Sequence, residues 1–174
     1  GFSVEEVKKI TKTVQMNGKP VEIIMTEMMR PKTQEELDAM TPEERDHCKY
    51  LSPLNTHTYV AEEGILCMQD TPVKMRDGAT IYVDIYLPEK KDRYPLIISW
   101  SFYGKRPFDG QSEWQIMGVP PGTVSDMSKF ESPDPGYWCR RGYAVANVDP
   151  RGIGHSEGDF ICFGTQDGQD GYDF

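Results

Sequence analysis

The chain of 174 residues contains 37% hydrophobic residues and 19 basic against 28 acidic side chains, which gives a formal net charge of −9. This length is typical of one domain, and the hydrophobic fraction is sufficient for a core, which excludes a disordered chain. The acidic balance argues against nucleic acid as a partner. We find no apolar stretch of about 18 residues and no secretion signal, so we expect no membrane association.

The cysteines are far apart and include no C-x-x-C pair, which argues against a zinc site or a disulfide-stapled fold. They are Cys48, Cys67, Cys139 and Cys162. Reduced thiols of this kind are typical of a cytoplasmic protein, and we expect neither a metal nor another cofactor.

Residues 1–65 are polar and rich in Met, and we interpret them as a helical extension of the domain that follows. Short helices are predicted where a Ser or Thr precedes a Glu by three residues, because such pairs cap the first helical turn. The pairs are Ser3 with Glu6, Thr33 with Glu36 and Thr41 with Glu44, and they predict helices near 4–14, 34–40 and 42–49. The first helix would place Val4, Val7 and Ile10 on one face.

From residue 66 the pattern becomes strand-like. Apolar residues alternate with other side chains from Thr80 to Leu87, which predicts a half-buried strand, and the turn sequence at 77–78 predicts a hairpin with the preceding segment. Two apolar runs, 96–100 and 143–148, suit strands buried on both faces. A helix at about 135–141 precedes the second run. This order predicts a mixed, mostly parallel α/β sheet over residues 66–174.

Six short segments of this chain occur in the order in which the CocE/NonD hydrolases carry them. They are MRDG at 75–78, DIYLP at 84–88, SFYGK at 101–105, RGYAV at 141–145, DPRG at 149–152 and GHSEG at 154–158. The chain therefore resembles this family of cocaine esterase-like enzymes and X-prolyl dipeptidyl aminopeptidases. The resemblance covers roughly residues 70–174.

The resemblance implies an α/β-hydrolase fold with a Ser-His-Asp triad that cleaves ester, amide or X-prolyl peptide bonds in a small molecule or a peptide. The chain begins at Gly1 without an initiator Met and ends at Phe174 after an acidic, helix-like run. We interpret it as an amino-terminal fragment that is truncated before the nucleophile elbow and inactive alone. All three triad residues would then lie beyond residue 174.

Ser156 lies in a G-x-S-x-G pattern, which marks a nucleophile only where a strand turns directly into a helix. Here the predicted strand ends near Asp149 and no helical pattern follows. His155 is adjacent in sequence and is poorly placed to act as the base for this serine. We therefore interpret Ser156 as structural, and the alternative makes it the nucleophile of a short esterase.

Tyr103 follows the first apolar run, at the edge where α/β enzymes place their ligand groups. The resemblance implies that its hydroxyl is one donor of the oxyanion hole, and a phenol can act in this way because it stays protonated near neutral pH. The alternative is an aromatic ring that packs beside Phe102. Lys105 and Arg106 are interpreted as solvated loop residues, and the alternative is that they orient a carboxylate.

Three acidic residues, Asp167, Asp170 and Asp173, are spaced like ligands, but we expect them at a helix N-terminus, where the helix dipole favours them without a metal. A second hypothesis for the whole protein is a non-catalytic homologue that acts as a binding or assembly module. Homo-oligomer formation stays open.

Overall fold

The computed structural model describes residues 9–26, 32–42, 52–106, 114, 117–162 and 164–174. Within these ranges the chain forms seven strands and three helices. The strands are β1 (Lys9–Met16), β2 (Lys19–Thr26), β3 (His57–Glu62), β4 (Ile65–Lys74), β5 (Thr80–Pro88), β6 (Leu96–Trp100) and β7 (Ala144–Asp149). The helices are α1 (Gln34–Asp38), α2 (Pro135–Cys139) and α3 (Thr165–Asp173).

Five strands form one sheet in the order β3-β4-β5-β7-β6. The hairpin predicted at residues 77–78 is confirmed, because β4 and β5 pair antiparallel and Gly78 adopts a φ of 89°. The sheet is mixed, as predicted, but among the described strands only β6 and β7 are parallel. It also includes β3, which lies within the range assigned to the extension.

The predicted helix over 4–14 is wrong where it can be compared, because residues 9–16 form strand β1. Residues 4–8 lie outside the described residues. β1 pairs antiparallel with β2 around Asn17 and Gly18, whose φ angles of 52° and 73° are those of a tight hairpin turn. β-branched Thr11, Thr13 and Val14 also favour a strand over a helix.

The other helix predictions have separate outcomes. Helix α1 is confirmed, and Thr33 and Glu36 form the expected reciprocal capping hydrogen bonds. The predicted helix at 42–49 lies outside the described residues except for Pro42. Helix α2 is confirmed near the carboxyl end of the long loop, and Gly142, with a φ of 82°, follows it.

The core is divided between the two faces of the sheet. One cluster comprises Ile65, Cys67, Tyr86, Met127, Cys139 and Val145. The other comprises Met75, Ile81, Val83, Ala146 and Val148. Strand β7 is buried along its whole length because its successive side chains enter opposite clusters, as predicted.

Two burial expectations are wrong. Strand β5 is buried on both faces rather than half-buried, because it lies in the middle of the sheet. Strand β6 lies at the edge of the sheet formed by the described strands, and its Leu96 and Ile98 side chains are 48% and 45% exposed, so it is not buried on both faces in this structure.

Cys67 and Cys139 are buried free thiols and Cys162 is an exposed one, whereas Cys48 lies outside the described residues. Among the described residues, no group of three or more His, Cys, Asp or Glu side chains could hold a metal ion. None of the helices described here is long and apolar enough to cross a membrane.

Candidate active site

The carboxyl ends of β6 and β7 lie side by side because these strands are parallel neighbours. Ligands of α/β proteins bind at this edge of the sheet. A cleft of about 270 Å³ opens there. Its walls combine aromatic rings with two carboxylates and a thiol, and they include Trp100, Phe102, Phe160, Glu131, Asp167 and Cys162.

Tyr103 lies in a tight turn directly after β6. The backbone N–H of Gly104 donates to the carbonyl oxygen of Ser101 at 3.1 Å, and Gly104 adopts a φ of 81°, which favours glycine. The Tyr103 ring packs against Phe102 and Phe130, with centroid distances of 4.2 and 4.8 Å. The turn and the two rings together define where the half-buried Tyr103 side chain lies.

Lys105 and Asp149 join this loop to the end of β7. Both side chains are fully buried, which is rare for these residue types unless they are paired. The backbone N–H of Lys105 donates to Asp149 Oδ1 at 2.7 Å, and its ammonium group contacts Asp149 Oδ2. The chain two residues after Tyr103 is therefore bound to the sheet through its main chain and its side chain.

Arg106 makes a second connection from the same loop, to β5 and β4. Its Nε donates to Asp84 Oδ2 at 2.7 Å, and its Nη2 contacts Asp70. Burial raises the pKa of Asp84, whereas the pKa of Asp70 is lowered because the backbone N–H of Asn55 and the charge of Arg106 outweigh the effect of burial. The interpretation of Lys105 and Arg106 as solvated residues is therefore wrong.

His155 also contacts this network, and its ring lies edge-to-face with Tyr82 of β5. Its Nε2 lies 2.6 Å from the carbonyl oxygen of Ser52, and its Nδ1 lies 3.2 Å from Lys105 Nζ. Nε2–H is therefore assigned as the donor to Ser52, and Nδ1 accepts from the ammonium group. Burial, and next the charge of Lys105, lower the pKa of His155, so that the ring is neutral at pH 7.

Ser156 has its hydroxyl group bound to the backbone of the sheet. Its Oγ donates to the carbonyl oxygen of Asp149 at 2.6 Å and accepts from the backbone N–H of Tyr82 at 2.9 Å. Mostly irregular backbone, not a helix, follows it as far as Cys162. Through these contacts Ser156 connects the first part of β5 with the end of β7. Its interpretation as a structural residue stays a prediction.

Arg151 anchors the segment after β7 to helix α3. Its guanidinium group donates to both carboxylate oxygens of Asp170 in α3, at 2.7 and 2.8 Å, and it also pairs with Asp77. These contacts raise the pKa of Arg151, chiefly through the hydrogen bonds that it donates to Asp170.

The three spaced aspartates of α3 each have a separate partner. Asp167 accepts a hydrogen bond of 2.7 Å from the indole N–H of Trp100, and Asp173 pairs with Arg76. Asp167 is the acidic residue of the first helical turn, whereas Asp170 and Asp173 lie further along the helix. The helix-dipole interpretation therefore applies to Asp167 and not to the other two.

Sequence reasoning did not identify the buried carboxylates of the network. Asp149 stands at the end of a fully buried strand, and Asp84 lies in the middle of a strand of mostly apolar and aromatic residues. A charged residue in such a strand needs a partner of opposite charge. The two consecutive cations at 105–106 were the sequence signal that such a partner exists.

The mixed sheet, with α2 and α3 packed beside it, defines an α/β protein. The model of the X-Pro dipeptidyl-peptidase (S15 family) matches residues 77–174, which is more than half of the chain. This chain belongs to that family.

Two crystal structures of a CocE/NonD family hydrolase from Staphylococcus aureus are similar to this chain, with 31% and 32% sequence identity and a TM-score of 0.54 for each. Each match covers 63% of this chain, but 19% and 20% of the matched chain. The present chain thus spans about a fifth of the length of these structures. No curated protein matches it. The CocE/NonD resemblance is confirmed.

Proposed function

We propose that the protein containing this chain is a cytoplasmic serine hydrolase that cleaves ester, amide or X-prolyl peptide bonds. Family membership over residues 77–174 supports hydrolysis, and the cleft at the carboxyl ends of β6 and β7 lies where such enzymes bind their substrates. A Ser-His-Asp triad beyond residue 174 supplies the nucleophile, the base and the acid. The substrate is a small ester, an amide or a peptide.

Tyr103 acts in this proposal as one donor of the oxyanion hole. The observation that carries the proposal is the tight turn at Gly104, which holds Tyr103 after the end of β6 and next to Phe102, a residue of the cleft wall. A donor fixed before the reaction stabilises the developing oxyanion without further reorganisation, and its loss typically costs about 2.7–4 kcal/mol of transition-state stabilisation.

The cleft itself favours an apolar group of the substrate. Trp100, Phe102 and Phe160 contribute aromatic surface to its wall. The Asp167 carboxylate in the same wall is bound to the indole of Trp100, which orients that ring. An acyl or prolyl group placed here would have the Tyr103 loop beside its carbonyl carbon.

The test compares tyrosine variants of the whole protein in hydrolysis of p-nitrophenyl acetate and alanyl-prolyl p-nitroanilide. Tyr103→Phe should lower kcat by about 100-fold or more. Tyr94→Phe is the matched control, since the Tyr94 hydroxyl donates to the backbone oxygen of Lys90 in a loop before β6. It should leave kcat unchanged.

Wild-type turnover by Tyr103→Phe would overturn the oxyanion role, and loss of turnover in Ser156→Ala alone would overturn the location of the nucleophile. Complete absence of turnover in the whole wild-type protein, on both substrates, would favour the binding or assembly module instead.

A further inference from the structure

A layer of buried charge lies beneath the loop that carries Tyr103. Its carboxylates, Asp70, Asp84 and Asp149, are at most 1% exposed and come from three strands of the sheet, β4, β5 and β7. Its cations, Lys105 and Arg106, both come from the loop. Every ion pair among these five residues therefore joins the loop to the sheet.

Stability alone does not account for such a layer. Buried ion pairs are often no more stabilising than apolar residues of the same volume, because removing charges from water is costly. What the layer provides is a defined geometry. One carboxylate, that of Asp149, binds both the main-chain N–H and the ammonium group of Lys105, which fixes the position of this residue and the direction of its backbone.

We infer that Asp149 is a positioning residue for Tyr103 and that it acts through Lys105. The inference rests on the proposed role of Tyr103 in the oxyanion hole. Only Gly104 separates Tyr103 from Lys105, and its positive φ closes the turn between them. Asp149 also accepts at its backbone oxygen from Ser156, so that the last residue of β7 connects the loop after β6 with the loop after β7.

Displacement of a catalytic group by about 1 Å can cost about 100-fold in rate, so a donor on a loop needs such a connection. Tyr103 has aromatic contacts that hold its ring, whereas the Lys105 connection holds the main chain of the turn. The two sets of contacts are independent and can be tested separately.

The first experiment places Asp149→Asn in the whole protein. The substitution removes the negative charge but keeps an oxygen that can accept from the Lys105 N–H, and Asp70 Oδ1, 3.4 Å from Lys105 Nζ, still faces the ammonium group. We expect kcat to fall by about 10- to 100-fold, with KM within about threefold of wild type. Asp170→Asn is the matched control, because Asp170 is an equally buried, ion-paired carboxylate whose hydrogen bonds go to Arg151 and Gln166 instead of the Tyr103 loop. It should leave kcat unchanged.

A double-mutant cycle with Tyr103→Phe separates positioning from a general structural role. In the Tyr103→Phe background, Asp149→Asn should change kcat by less than about twofold, since the group that it positions has been removed. An equal loss in both backgrounds would overturn the inference. If Tyr103→Phe itself has no effect on kcat, the oxyanion proposal fails instead, so the two failures are distinguishable.

Hydrogen exchange of the wild-type protein supplies a measurement that needs no variant. The amide of Lys105 donates to a buried carboxylate, so a peptide covering residues 101–106 should exchange at Lys105 as slowly as the interior of β7. Rapid exchange at that amide would overturn the inference even if Asp149→Asn fails to fold.

Discussion

The hydroxyl group of Ser156 donates a hydrogen bond to the carbonyl oxygen of Asp149 and accepts one from the backbone N–H of Tyr82. One side chain thus satisfies a donor of β5 and an acceptor of β7. The sequence around Ser156 matches the pattern of a nucleophile elbow, but the Ser156 side chain hydrogen-bonds to the backbone of two strands.

Ser156→Ala should therefore lower stability and leave catalysis intact. The alanine leaves the Tyr82 N–H without its buried acceptor, and we expect the free energy of unfolding to fall by about 1–2 kcal/mol. Urea unfolding of the whole protein measures this loss, and p-nitrophenyl acetate hydrolysis below the transition provides the activity. Unchanged stability together with abolished turnover would contradict the prediction.

The ion pair of Arg151 and Asp170 should contribute more to the free energy of unfolding than the ion pair of Arg76 and Asp173. Asp170 is fully buried and receives two guanidinium hydrogen bonds, so Asp170→Asn should lower the free energy of unfolding by about 3 kcal/mol. Arg76 is half exposed, and water screens its pair. Asp173→Asn should consequently shift the urea midpoint much less. A larger shift for Asp173→Asn than for Asp170→Asn would refute this ranking.

His155 should make stability depend on pH near and below the ordinary pKa of a histidine side chain. Its pKa in the folded protein lies below the value of about 6.5 expected in the unfolded chain. The unfolded state therefore binds the proton first, and stability should be lost as pH falls below about 6.5. The charged groups near the ring are Lys105, Asp149 and Asp70, of which Lys105 lowers the pKa and the carboxylates raise it.

The measurement is the melting temperature at pH 7, 6 and 5 for wild type and His155→Gln. The wild-type melting temperature should fall across this range, and the decrease should be smaller in the variant. The same decrease in both proteins would assign the pH dependence to other groups.

The described cysteines should differ sharply in reactivity. Burial raises the pKa of Cys67 to about 12 and that of Cys139 to about 11, so neither forms a thiolate near neutral pH. Cys162 is exposed and lines the cleft. Iodoacetamide should label Cys162 in the native protein, and the other two only after denaturation. Peptide mass spectrometry reads out each site, and native labelling of Cys67 would contradict the burial argument.

Sequence patterns located the main sheet well because local signals agreed with the tertiary structure there. Few residue types meet the backbone requirement of the turn at 77–78 or of the position after α2, where glycine is found. Burial on both faces likewise restricts β7 to a mostly apolar run. The exposure of Leu96 and Ile98 was not predictable, since an apolar run does not show whether its strand is central or at an edge.

The prediction for β1 was wrong because it rested on the capping pair and the helical spacing of Val4, Val7 and Ile10 and did not use the turn sequence Asn17-Gly18. Asn-Gly is the strongest short hairpin signal because a two-residue hairpin turn requires positive φ angles at both positions. Asn17 and Gly18 both have positive φ angles in the structure. For the site, sequence resemblance indicated Tyr103, but the connection from Lys105 to Asp149 joins a loop to the end of β7, and these two segments meet only in the folded sheet. No spacing along the chain encodes that contact.

The strand order has a consequence for synthesis on the ribosome. Strand β6 is made before β7, yet β7 lies between β6 and β5 in the finished sheet. The apolar segment from Leu96 to Trp100 must therefore wait until the long loop, α2 and β7 have been translated, an interval on the order of seconds at typical elongation rates. During that interval the segment is an exposed apolar stretch of nascent chain without a strand partner. A chaperone that binds short, extended apolar peptides would bind it at this stage.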